Sequence, residues 1–139
     1  ASFMGCDIRG TVWEFCTLTR SNFLDVRTRG GRVTMVDVQA DFANLFSVDL
    51  SNALFTGPVS LEGADLRYAK FWGAELRGLR AQRARAQHSD FSNSVLTGAD
   101  FSRASLWRTN FSNASLEAVR WRGADCAGII GTAACAATP

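Results

Sequence analysis

The chain has 139 residues, 47% hydrophobic and 20% charged, a size and balance that fit one folded domain and argue against two domains or intrinsic disorder. No apolar run approaches the roughly 18 residues needed to cross a bilayer, and the start at Ala1 shows neither a charged n-region nor an apolar h-region. Net charge is only +2 but is polarised along the chain: residues 1–66 hold five Arg against eight acids, and residues 67–139 hold nine Arg and Lys70 against five acids.

From the N-terminus, residues recur every five positions at Phe3, Ile8, Trp13, Leu18, Phe23, Thr28, Val33 and Val38. From Ile8 onward each is preceded, two positions earlier, by Cys6, Thr11, Cys16, Ser21, Val26, Gly31 or Val36. A register slip is expected over 39–44, after which Leu45, Leu50 and Phe55 form a second in-phase set. Gly57-Pro58 adds one residue, so a second slip is expected over 56–60. From Val59 the period of five is strict, through pentads such as GADLR, GAELR, HSDFS, GADFS, RASLW and RTNFS to GADCA. The centres of these pentads include Phe71, Leu76, Ala81, Ala86, Phe91, Leu96, Phe101, Leu106, Phe111, Leu116 and Trp121, each with a mostly small residue two positions before it.

Five matches neither the helical period of 3.6 nor a sustained strand period of 2. Within one pentad, however, the small residue and the centre are two apart and point to the same side of a very short extended segment, with the residue between them facing outward. The remaining two positions must turn the chain, and Gly, Ser, Asn and Thr are frequent there. Identical turns repeated in one sense make a coil. One large and one small inward residue per side make a filled tube.

The A(D/N)(L/F)xx pattern of GADLR, GADFS and RTNFS resembles the pentapeptide-repeat family. That resemblance implies an all-β fold, a right-handed quadrilateral β-helix solenoid with four pentads per coil. Residues twenty apart are then expected to stack: Phe71 with Phe91 and Phe111, Leu76 with Leu96 and Leu116, Leu61 with Ala81, Phe101 and Trp121, and Leu66 with Ala86 and Leu106. At about 4.8 Å per coil the chain makes roughly six or seven coils and a rod of about 30 Å. Residues 1–126 are expected to form the β-helix and 127–139 a C-terminal tail or cap.

Cys6 and Cys16 fall in small inward slots on opposite faces, where each is expected to act as a small buried hydrophobe. Cys126 and Cys135 lie where the repeat dissolves, at a spacing that allows a disulfide closing the last coil. Such a bond favours an oxidising compartment. No capping helix is evident at either end, so another protein or further sequence is expected to cover at least one of them.

Catalysis needs a nucleophile, base or metal set converging in a pocket. The pattern instead offers a packed interior and flat faces, so no enzyme, cofactor or metal site is expected. Asp65, Asp90, Asp100 and Asp125 stand just before their centres, where the family's Asp or Asn has a structural role, and His88 reads as a surface turn residue. Stacking groups Arg80, Arg83, Arg103, Arg120 and Arg122 on one face and its corners, and Arg67, Arg85 and Arg108 with Tyr68 and Trp107 beside them. With outward Trp72, these residues form the candidate partner-binding surface.

The expected function is a non-catalytic scaffold for protein partners, an accessory subunit of a larger assembly. The resemblance points to a thylakoid-lumen or chloroplast setting, with a bacterial cytoplasm as the alternative. It also implies a second function, DNA mimicry that binds DNA gyrase and protects it from quinolones. Mimicry requires a strongly negative surface, and the best-formed half of this chain is the more basic. An Arg and aromatic surface of this kind suits an acidic protein, an anionic lipid headgroup or nucleic acid, and the interspersed Asp65, Asp100 and Asp125 also allow ordinary solvated ion pairing; a protein partner is expected rather than nucleic acid, and peripheral membrane association is left open.

Overall fold

The computed structural model describes residues 1–24, 26, 28, 31–132 and 135. Its regular structure consists mainly of single-residue parallel bridges between successive coils. Three longer strands, β1 (Val12–Glu14), β2 (Thr34–Val36) and β3 (Leu54–Thr56), pair in parallel in the order β1-β2-β3.

Four ladders define four faces. The first runs Ser2, Asn22, Asn44, Asp65, Arg85, Ser105, Asp125. The second includes Asp49, Lys70, Asp90, Asn110 and Ile130. The third continues from β3 through Glu75, Val95 and Ser115, and the fourth runs Thr17, Gln39, Ser60, Arg80, Asp100, Arg120. Because the faces succeed one another every five residues, a coil closes every 20 from Ser60 onward, and the ladder reaches Ile130.

Apart from the extended corner at β1, β2 and β3, the corners of the described residues are mostly β-turns. The Ala64 N–H donates to the Leu61 carbonyl at 3.1 Å, and the same bond recurs from Ala69 to Leu66 and from Ala74 to Phe71. The third residue of the turn takes a left-handed backbone, as at Gly73 (φ 65) and Gly98 (φ 74), which explains the glycines there. Asn52, Asn93 and Asn113 hold the same place, and so do Tyr68, Arg83, His88, Arg103 and Arg108. For these last residues the left-handed region costs about 1–2 kcal/mol each.

The inward pairs fill the tube. Phe91 is fully buried between Phe71 and Phe111, with parallel rings at centroid distances of 4.7 and 5.4 Å. Phe101 stacks on Trp121 at 5.6 Å, and Trp121 is buried. At Ala81 the pair is exchanged in size, with Leu79 in the slot two residues earlier, and both are buried. Ser89, Ser94 and Thr109 stand in small slots and donate their hydroxyls to the carbonyl of Ala86, Phe91 and Ala86 respectively, so their burial leaves no donor unmet.

The expected slip at 56–60 is present: Leu54 and Ser60 are successive bridge residues six apart, with Pro58 between them. The slip expected at 39–44 lies earlier. Gln39, Asn44, Asp49 and Leu54 are bridge residues in steps of five, whereas Val12 pairs with Thr34 and Thr17 with Gln39 at separations of 22. Two residues are therefore gained before Thr34, and Val33 and Val38 are not centres. They fill the first inward slot, with Met35 and Ala40 in the second, and all four are buried. Val is large enough to pass for a centre when its partner is Ala.

The ends differ. At the N-terminal end Phe3, Trp13 and Phe23 pack together at 5.0–6.0 Å between centroids, and Phe3, Trp13, Cys16 and Val26 are only partly covered. Cys6 is exposed rather than buried, and Cys16 is half-buried; both are free thiols. Cys6 lies in the first described coil, and among the described residues a neighbouring coil covers it on one side. At the other end Cys126 is disulfide-bonded to Cys135, with Cα atoms 6.0 Å apart, and Cys135 is buried within the core cluster. The rest of the expected tail at 133, 134 and 136–139 lies outside the described residues.

Candidate interaction surfaces

The bridge-position carboxylates and amides are committed locally. Oδ1 of Asp90, Asp100 and Asn110 accepts the N–H of Ser92, Ser102 and Ser112 at 2.9–3.0 Å, and Asp125 accepts that of Ala127 at 3.2 Å. Each closes the turn that follows its own strand residue. Among the described residues no group of three His, Cys, Asp or Glu is placed to hold a metal ion. Among the described residues no helix is long and apolar enough to cross a membrane.

The first corner, between the first and second faces, carries a continuous column of rings. Phe46 meets Tyr68 edge-on at 5.6 Å, Tyr68 stacks on His88 at 4.9 Å with planes 3° apart, and His88 meets Trp107 edge-on at 4.8 Å. The Arg67 guanidinium lies over the Phe46 ring at 5.3 Å and that of Arg108 over Trp107 at 4.6 Å. Tyr68 and Trp107 are 49% and 39% exposed, so the column is a surface feature and not a second core. Met4, 59% exposed, and Leu24 continue the same corner toward the N-terminus, since Gly5 N–H bonds the Leu24 carbonyl.

On the first face Asp65 sits between two arginines, with Arg67 Nη2 and Arg85 Nη2 at 2.7 and 2.6 Å from its Oδ2. Burial alone would raise the Asp65 carboxyl, but the hydrogen bonds from Arg67 and the charges of Arg85 and Arg67 outweigh it and hold the group below its ordinary value. Arg67 is correspondingly raised by its bond to Asp65. Across the first face, the fourth corner carries Arg83, Arg103 and Arg122, and the fourth face carries Arg80 and Arg120. Arg83 pairs with Glu62 at 3.1 Å and Arg120 with Asp100 at 3.6 Å. Burial also pushes Asp100 upward, and the Ser102 hydrogen bonds with the Arg120 charge bring it below its ordinary value. No carboxylate pairs with Arg80, Arg103, Arg108 or Arg122 among the described residues. A shallow depression of about 200 Å³ lies between Glu62, Gln82, Arg83, Ser102 and Arg103.

The structure thus brings Arg67, Tyr68, Arg85, Trp107 and Arg108 together on the first face and its corner, with Arg80, Arg83, Arg103, Arg120 and Arg122 beside them. Trp72, 46% exposed, stands apart on the corner beyond the second face. Phe46 and His88 belong to the column although neither was singled out as a contact residue in the sequence. For His88 the spacing of one coil from Tyr68 was the available signal; Phe46, 22 residues before Tyr68 and at the other turn position, had none.

The family model described as pentapeptide repeats matches eight copies over residues 43–78 and 82–117, together just over half of the chain. No curated protein matches the sequence. Among solved structures, a trypsin-treated QnrB1, a plasmid-mediated fluoroquinolone resistance protein, superposes with a TM-score of 0.52 at 18% identity, covering 92% of this chain and 78% of its own. A pentapeptide repeat protein of the Arabidopsis thaliana thylakoid lumen gives 0.51 at 21% identity, covering 85% and 66%. At these identities the likeness carries the fold alone. With the pentad ladders, the four faces and the matched repeats, the chain belongs to the pentapeptide-repeat family and is a right-handed quadrilateral β-helix.

Proposed function

We propose that this protein is a non-catalytic scaffold, an accessory or structural subunit that docks into a larger assembly through the arginine-rich side of its tube. The observation that carries the reading is the exposed ring column of the first corner beside arginines without a carboxylate partner. Exposed aromatic and Arg side chains are the types that anchor protein interfaces. Interior volume is taken up by packed side chains, and reactive groups do not converge on any of the flat faces. Native affinity purification with mass spectrometry of the eluate tests it. Recovery within a stable multi-subunit complex is expected; recovery of the protein alone sinks the reading.

The gyrase-binding alternative predicts gyrase subunits in that eluate. It is disfavoured because Arg80, Arg103, Arg108 and Arg122 face outward on the side that a duplex imitator would have to make acidic. For compartment we propose an oxidising one such as a thylakoid lumen, with a bacterial cytoplasm as the alternative; the Cys126–Cys135 bond supports it. Alkylation of the native protein without reductant is expected to modify Cys6 and Cys16 alone. Modification of all four cysteines would remove the basis for an oxidising compartment.

A further inference from the structure

We infer that the occupant of the first face is an acidic segment of a partner protein, lying along the tube with its apolar or aromatic side chains on the Tyr68, His88 and Trp107 ridge and its carboxylates on Arg103, Arg108 and Arg122. The inference rests on the scaffold reading above and names the partner's chemistry. The first face is framed by unlike edges. One is the ridge of rings, and the other is the fourth corner with its arginines.

Charge divides the face lengthwise. Toward the N-terminus its cations are already paired, Arg67 and Arg85 sharing Asp65 and Arg83 meeting Glu62, which leaves one positive charge over. Toward the C-terminus Arg103, Arg108 and Arg122 are exposed and unpaired, and the nearby Asp125 is engaged with the Ala127 N–H. The Arg108 guanidinium lies over the Trp107 ring at 4.6 Å, a contact that leaves its N–H donors without a carboxylate partner among the described residues. An unpaired cation row beside an apolar ridge is complementary to carboxylates alternating with apolar groups.

A single-stranded nucleic acid fits less well. Bases bind by stacking on open ring faces, whereas Tyr68 and His88 are stacked on each other at 4.9 Å and present mainly their rims.

The test uses the full chain and three labelled probes in fluorescence anisotropy: a random poly(Glu,Tyr) copolymer, poly-Glu of similar length, and oligothymidylate. Poly(Glu,Tyr) is expected to bind most tightly and to weaken with added salt. Trp107→Ala, and separately the Arg103→Gly/Arg108→Gly pair, should each weaken it by about tenfold or more. Both arginines have left-handed backbones (φ 60 and 54) that glycine adopts freely, so their removal should not unfold the coil, which an unchanged melt verifies. Phe15→Ala, at an exposed side chain just beyond β1, should leave binding unchanged. Tighter binding of oligothymidylate, no binding of poly(Glu,Tyr), or undiminished binding by the Trp107 and arginine variants overturns the inference.

Native purification of the Trp107→Ala/Arg108→Gly chain separates it from the broader reading. Undiminished recovery of the same complex overturns the ridge as docking surface while the scaffold stands. Loss of that complex supports both.

Discussion

The coils before Pro58 and those after it solve one packing problem with different sequences. After Pro58 every corner is the same hydrogen-bonded turn and the ladders step by 20. Before it, the corner after the third face stays extended through β1, β2 and β3, two residues are gained before Thr34, and Val and Met fill inward slots. The bridges nonetheless run unbroken along the first face. The comparison teaches that the tube requires an inward pair and an outward bridge residue on each face, and tolerates an extra residue at the exposed corner of Thr56, Gly57 and Pro58.

The largest expected effect separates the interior of the strict half from the surface of the irregular one. Phe91→Ala removes a ring held between two others and should cost about 3–5 kcal/mol in urea unfolding. Phe15→Ala, at a side chain 76% exposed, should stay within about 0.5 kcal/mol. Comparable losses would mean that the stacking of coils does not carry stability as argued.

The two ends give the next contrast. Cys126 and Cys135 close a loop with a sequence separation of 9, so Cys126→Ser/Cys135→Ser should lower stability by about 2–3 kcal/mol. The free thiols Cys6 and Cys16 give no such loss on Cys6→Ser. Identical melts with and without the bond would show that the C-terminal end is held by packing alone.

Corner chemistry sharpens the comparison on a finer scale. Ala118 occupies the left-handed turn position (φ 55), where Ala118→Gly should stabilise by about 0.5–1 kcal/mol. A methyl group added at Gly98 (φ 74) would meet only open space, so Gly98→Ala should lose about 1 kcal/mol through backbone strain alone. Effects of the same sign at both sites would contradict the turn assignment.

The smallest effect is electrostatic. The folded-state pKa of Asp65 is depressed, so its contribution to stability is fully present above the ordinary carboxylate value of about 3.9 and is lost as pH falls through the lower folded value. Asp65→Asn should therefore show a shallower decline in melting temperature on acidification. A parallel decline in the two proteins would assign acid sensitivity to other groups.

Much of this molecule was legible where side-chain size and period agree. From Val59 onward the large residue and its smaller partner mark the inward slots, and the stack of Phe71, Phe91 and Phe111 follows from their spacing once the family resemblance supplies four pentads per coil. Where size misleads, so does the register: Val33 and Val38 look like centres beside Gly31 and Val36, but their true partners are Met35 and Ala40. Cys6 departs from expectation for a related reason, because a slot's pattern does not reveal whether a coil covers it.

The sequence by itself determined the period, the family, the inward residues of the strict repeats and the basic bias of the second half, because each depends on residues within one pentad or on their composition. Tertiary structure alone decided which outward residues meet. Phe46, Tyr68, His88 and Trp107 come from four successive coils and from two different turn positions, and they form one ridge because the corner brings side chains of neighbouring coils within about 5 Å. Whether an arginine is paired was likewise decided there, since a salt bridge such as that of Arg85 with Asp65 joins residues a full coil apart.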